Sequence, residues 1–173
     1  TGSYQLGCVY KSIGGRNITW LSHILFGSLP PSIGNIITIL GITGQAGWND
    51  WTARLRIRKT ATGYELILLE TYPTEKTLAV PITINANEHH KFKIEYMKDF
   101  DKGYRVYYDG NLVIEDVGLD MSAAPDVGHV NIVLDSHDSG AISAYYDLVE
   151  VTKLILPPPT EITDDFNDNS FDE

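Results

Sequence analysis

Cysteine is almost missing from this chain: Cys8 is the single one in 173 residues. No intramolecular disulfide can form, so the fold must be held by its core. Cys8 sits in the alternation Tyr4-Gln-Leu-Gly-Cys-Val-Tyr10 and reads as a small buried hydrophobe rather than a reactive thiol. Basic residues are scarce as well. Thirteen Lys and Arg stand against 23 Asp and Glu, giving a formal net charge of −10. Nucleic acid and anionic membrane surfaces both reward positive charge, so neither is expected as a partner. Long apolar runs are also lacking. The longest, Ile33 to Ile42, is broken by Gly34, Asn35, Thr38 and Gly41, far short of the roughly 18 residues of a membrane-spanning helix. No leader segment is recognisable, and the chain opens on Thr1 rather than methionine, as a processed or excised piece would.

What is present is strand after strand. Tyr104-Arg-Val-Tyr-Tyr-Asp-Gly-Asn-Leu-Val-Ile-Glu115 places two alternating runs around Asp109-Gly110. Asp-Gly supplies the positive φ values of a tight two-residue hairpin turn. In Lys91-Phe-Lys-Ile-Glu-Tyr96, the apolar Phe92, Ile94 and Tyr96 share one face. Strands are expected at Tyr4–Lys11, Ile18–Phe26, Asn35–Thr43, Thr52–Lys59, Glu65–Tyr72 and Thr77–Thr83. They continue at Lys91–Met97, Arg105–Tyr108, Leu112–Glu115, Val127–Leu134 and Ile142–Thr152. Gly14-Gly15, Pro30-Pro31, Thr62-Gly63 and Ala124-Pro125 read as punctuation between them. Eleven strands without helices imply an all-β, antiparallel two-sheet sandwich of the jelly-roll type. Residues 1–156 form that sandwich, 157–160 a stiff Pro-rich linker and 161–173 an acidic tail.

The runs Ala53-Arg-Leu-Arg-Ile-Arg-Lys59, Gly63-Tyr-Glu-Leu66, Lys91-Phe-Lys-Ile-Glu-Tyr96 and Gly103-Tyr-Arg-Val-Tyr-Tyr-Asp-Gly-Asn-Leu-Val113 resemble concanavalin A-like, laminin-G-like jelly-roll domains. Ala144-Tyr-Tyr-Asp-Leu-Val-Glu-Val151 resembles their final strand. The resemblance covers roughly residues 3 to 154. The tail segment Asp164-Asp-Phe-Asn-Asp-Asn-Ser-Phe-Asp172 resembles the segment with which such domains open, here at the opposite end. Three arrangements account for this: one unit of a tandem array, a circular permutant, or a strand donated to a neighbouring subunit.

The chemistry points away from hydrolysis. Sandwich glycosidases that this fold resembles carry Glu-x-Asp-x-Glu on one strand, so that paired carboxylates share a face. No such triplet occurs. A nucleophile elbow, a phosphate loop and a zinc pattern are also missing. His89-His90 stands at a strand start and reads as a solvated turn. The Arg54, Arg56 and Arg58 face reads as a solvated surface that pairs with carboxylates across the strand. Carbohydrate binding is more plausible. The loop around Trp48, Asn49, Asp50 and Trp51 offers flat aromatic faces and short polar side chains for hydroxyls. The competing role for its tryptophans is to plug the end of the sandwich. Calcium is the ion that Asp164, Asp165, Asn167 and Asp168 suit, against the reading of a solvated tail. The family resemblance adds Asp147 to such a structural site.

The expectation from the sequence is therefore a non-catalytic extracellular or cell-surface domain. It assembles head-to-tail as a homo-oligomer or tandem copies, with Ile162, Phe166 and Phe171 of the tail as contacts. The alternative is a lectin-like, glycan-binding module of a larger surface or glycan-active protein.

Overall fold

The computed structural model describes residues 4–44, 51–136 and 142–154, with side chains from residue 14 onward apart from 135 and 136. The strands are β1 Tyr4–Gly15, β2 Asn17–Ser28, β3 Ile36–Thr43, β4 Trp51–Lys59, β5 Tyr64–Glu70 and β6 Lys76–Ile82. They are followed by β7 His89–Met97, β8 Gly103–Tyr108, β9 Asn111–Asp116, β10 Val127–Ser136 and β11 Ser143–Lys153. All eleven expected strands are present, and no helix occurs among the described residues. They form a six-stranded sheet, β1-β10-β3-β4-β5-β6, and a five-stranded sheet, β11-β2-β7-β8-β9. Every pairing is antiparallel. The expected jelly-roll sandwich is what the chain builds.

One punctuation mark is displaced. Gly14-Gly15 reads as a turn, yet Gly15 stays in β1 as the partner of Val127, beyond a register shift after Ser12. Gly14 takes a left-handed φ of 55° inside that irregularity. The Asp109-Gly110 turn is as expected, with φ of 48° and 85°. The Asp109 carboxylate accepts the Lys91 N–H at 2.8 Å and lies 3.0 Å from His90 Nδ1. This corrects the reading of His89-His90. His89 is exposed, but His90 is buried and stacked on Tyr108. The even position in β7 turns His90 to the same side as Phe92 and Ile94.

The core lies between the sheets. β2 alternates without a break, burying Ile18, Trp20, Ile24 and Phe26 against Phe92, Tyr96 and Tyr104 from β7 and β8. Each such large side chain contributes about 1.5–3 kcal/mol by leaving water. Buried tyrosines also tie elements together through their hydroxyls. Tyr146 of β11 donates to Ile39 O at 2.8 Å, joining the two sheets. Tyr96 donates to Pro125 O and Tyr108 to Thr83 O, both at 2.7 Å. Burial pushes these phenols upward, which keeps them protonated as donors.

At the β6 and β9 edges, Lys76 pairs with Asp116 and closes one sheet onto the other. Glu70, inward-facing and fully buried, sits beside this pair. Neither of its oxygens has a hydrogen-bond partner. Burial, then the negative Asp116, push the Glu70 carboxyl up to about 8. A carboxyl raised that far is largely protonated at neutral pH.

Candidate functional site

The outward face of the six-stranded sheet gathers polar side chains from β3 and β4, which follow one another in the chain, and from the sequence-distant β10. β4 alternates, so Ala53, Leu55 and Ile57 enter the core while Arg54, Arg56 and Arg58 point outward. Register then sets their neighbours. Gly41 of β3 lies opposite Arg54, Thr38 opposite Arg56 and Ile36 opposite Arg58. On the other side of β3, Asn131 of β10 lies opposite Gly41 and His129 opposite Thr43. Two cross-strand rows result: Asn131–Gly41–Arg54 and His129–Thr43–Trp51.

Two irregularities shape this surface. Ile39 is an extra residue in β3, so Ile39 and Leu40 both face the core. Thr52 is an extra residue in β4. It is buried beside Ala53, and the bulge carries Trp51 to the outer face, where its ring lies against Gly41. The Arg54 guanidinium carbon lies 5.5 Å from the Trp51 ring centroid, within the range of a cation–π contact. Arg58 pairs with Glu65 across the strand, Nη2 to Oε2 at 2.5 Å. The solvated-face reading of the arginines therefore holds for Arg58 in its carboxylate partner. It fails in exposure, because all three arginines are half-buried.

Polar groups on this outward face are shielded rather than bathed in solvent. Thr38, Thr43 and Asn131 are nearly fully buried although none points into the sandwich core. A shielded surface that carries guanidinium, imidazole, amide and indole groups suits an anionic, hydroxyl-rich ligand. Arginine matches a carboxylate in a bidentate way. Imidazole exchanges a proton near neutral pH.

Of the residues expected in a site, Trp51 is on this face, at the edge of the row. Trp48, Asn49 and Asp50 lie outside the described residues, as do Asp164, Asp165, Asn167, Asp168, Ile162, Phe166 and Phe171. Asp147 is exposed on β11, as the extra residue of a register shift between Tyr146 and Leu148. Among the described residues, no group of three or more His, Cys, Asp or Glu side chains is placed to hold a metal ion. Sequence reasoning missed His129 and Asn131. The signal was present: His-x-Asn within a strand puts both side chains on one face.

No family model matches the chain, and no curated protein matches it. Solved structures do match. The endo-β-1,4-glucuronan lyase of the fungus Trichoderma reesei superposes with a TM-score of 0.63 at 16% identity, over 89% of this chain and 76% of that one. An alginate lyase of Pseudomonas aeruginosa gives 0.58 at 11% identity, over 82% and 68%. A pentraxin of Limulus polyphemus gives 0.53 at 18% identity, over 87% and 68%.

These findings correct two expectations, the non-catalytic assembly subunit and the exclusion of an enzyme. The neighbours include several polysaccharide lyases. The exclusion rested on the missing carboxylate pair, which is a test for hydrolases. Elimination needs a base and a group that neutralises a carboxylate, so it leaves no such pair to find. The fold itself is settled by the two sheets and these superpositions: the chain has the antiparallel two-sheet jelly-roll fold of these structures, like that of concanavalin A-like domains.

Proposed function

We propose that the outward face of the six-stranded sheet binds an acidic polysaccharide and cleaves it by β-elimination. The observation that carries this reading is the convergence of His129, Asn131, Arg54 and Arg56 on one shielded face, around Gly41 and Thr43. A cationic strand face in a chain of net charge −10 is a local exception. It draws in a polyanion while the rest of the surface repels one. The likeness to alginate and glucuronan lyases supports the same substrate class, a polyuronate. Such polymers lie outside cells, in agreement with an extracellular site of action.

In this reading Arg54 and Arg56, with the Asn131 amide, hold the uronate carboxylate. Charge at that carboxylate is neutralised, which acidifies the adjacent C5–H. The His129 imidazole takes that proton as general base. The C5–H electron pair forms the C4–C5 double bond as the bond from C4 to its glycosidic oxygen breaks. The departing oxygen takes a proton from water, and the His129 imidazolium returns its proton to solvent.

The test is incubation with polymannuronate, polyguluronate and polyglucuronate, following the ultraviolet absorbance of the conjugated product. Turnover that disappears in His129→Ala while binding persists is the expected result. Binding without turnover in the wild type would leave a lectin-like carbohydrate-binding module on the same face. Absence of both would remove the polyuronate reading.

A further inference from the structure

Gly41 occupies the centre of the proposed site, between Asn131 and Arg54 in register. Its backbone does not demand glycine, since it is not among the residues with positive φ. Space demands it. A Cβ at position 41 would lie 1.9 Å from Cζ3 of Trp51, 2.7 Å from Cε3 and 2.9 Å from Cη2. Three atoms of the indole six-membered ring thus rest on the bare Cα. Backbone and packed ring leave no room for even a methyl group. The same indole meets the guanidinium of Arg54 at 5.5 Å.

We propose that Trp51 is a positioning residue: seated in the gap left by Gly41, it holds Arg54 in place to receive the ligand's carboxylate. This rests on the polyuronate reading above and assigns a specificity role within it. A free arginine side chain has many rotamers, and fixing one of them opposes binding. An indole face that already holds the guanidinium removes part of that opposition. Trp51 thereby acts through Arg54. A platform tryptophan, by contrast, would stack directly on a sugar ring and favour charged and neutral sugars alike.

The two roles separate in a double-mutant cycle. Affinities for a uronate oligosaccharide and for its carboxyl-reduced counterpart are measured calorimetrically for wild type, Trp51→Leu, Arg54→Ala and the double variant. Arg54→Ala is expected to weaken uronate binding about 10- to 100-fold. Trp51→Leu should weaken it about 3- to 10-fold, leave the reduced oligosaccharide unaffected and add nothing to Arg54→Ala. Trp51→Phe should recover part of the loss. Gly41→Ala should reproduce Trp51→Leu and be silent in the Trp51→Leu background. If Gly41→Ala does not fold, the Trp51 and Arg54 cycle decides.

Equal weakening of both oligosaccharides by Trp51→Leu, additive with Arg54→Ala, overturns the seat and makes Trp51 a stacking platform. The polyuronate reading then stands on its own. No uronate binding by the wild type overturns both.

Discussion

Glu70 gives the sharpest prediction about stability. It is fully buried, next to the ionised Asp116 and its partner Lys76. Its carboxyl is pushed up to about 8 in the fold, against the ordinary carboxylate range near 4 in the unfolded chain. Across that window the folded protein holds a proton that the unfolded chain has released. Its stabilising effect is complete below about pH 4 and fades as pH rises, until both states are ionised above about 8. Each pH unit of the window costs about 1.4 kcal/mol, so the loss attributable to Glu70 approaches about 4–5 kcal/mol by pH 8. Glu70→Gln keeps the size of the side chain and cannot ionise. Urea unfolding of both proteins from pH 5 to 9, followed by tryptophan fluorescence, isolates the effect in the difference between them. The variant's advantage over the wild type should be smallest at pH 5, grow steadily as pH rises, and level off above pH 8. A difference that does not vary with pH refutes the argument. A wild type that gains on the variant as pH rises would mean that Lys76 stabilises an ionised Glu70.

Other outcomes follow from particular contacts. Gly103 has φ of +149°, and a Cβ there would come within 2.0 Å of the Asp116 carbonyl oxygen. Gly103→Ala should therefore cost roughly 2–4 kcal/mol in thermal unfolding, and a neutral result would contradict the close approach of β8 to the end of β9. Tyr146→Phe removes the hydroxyl shared by Ile39 O and Val133 O at 2.8 and 3.3 Å. A loss of about 1–2 kcal/mol in denaturant is expected, and one within error would show that water replaces the bond. Asp109→Ala loses both the Lys91 cap and an acidic residue suited to left-handed φ. It should destabilise by about 1–2 kcal/mol, whereas Asp109→Asn, which tolerates that φ, should be milder in the same assay.

The fold was legible because its signals are local. The Asp109-Gly110 turn and the alternation in β2, β4 and β7 each specify themselves within a few residues. Glu65 to Tyr72 also reads as one strand, but the sequence did not reveal that Glu70 faces inward toward Asp116. That pairing joins strands of different sheets across 46 positions of chain. The site was less legible for the same reason. His129, Gly41 and Arg54 are brought together by register, which a period-two pattern cannot report between strands. Trp51 was found by its chemistry, while its face was decided by a bulge that no residue type announces. The search for catalysis asked for paired carboxylates, so a constellation of guanidinium, amide and imidazole passed unseen.

The two extra residues, Ile39 in β3 and Thr52 in β4, carry a consequence for chain length. A one-residue deletion ordinarily turns the remainder of a strand inside out. Here each bulge puts two consecutive side chains on the core side. Removing one member restores simple alternation and leaves every other residue facing as before. Thr52 is the milder loss, since its buried hydroxyl has no hydrogen-bond partner and the strand would still present Trp51 and Arg54 outward. Shorter versions of this sheet could thus keep the same surface, and a comparison by aligned position would place a gap where the geometry has none.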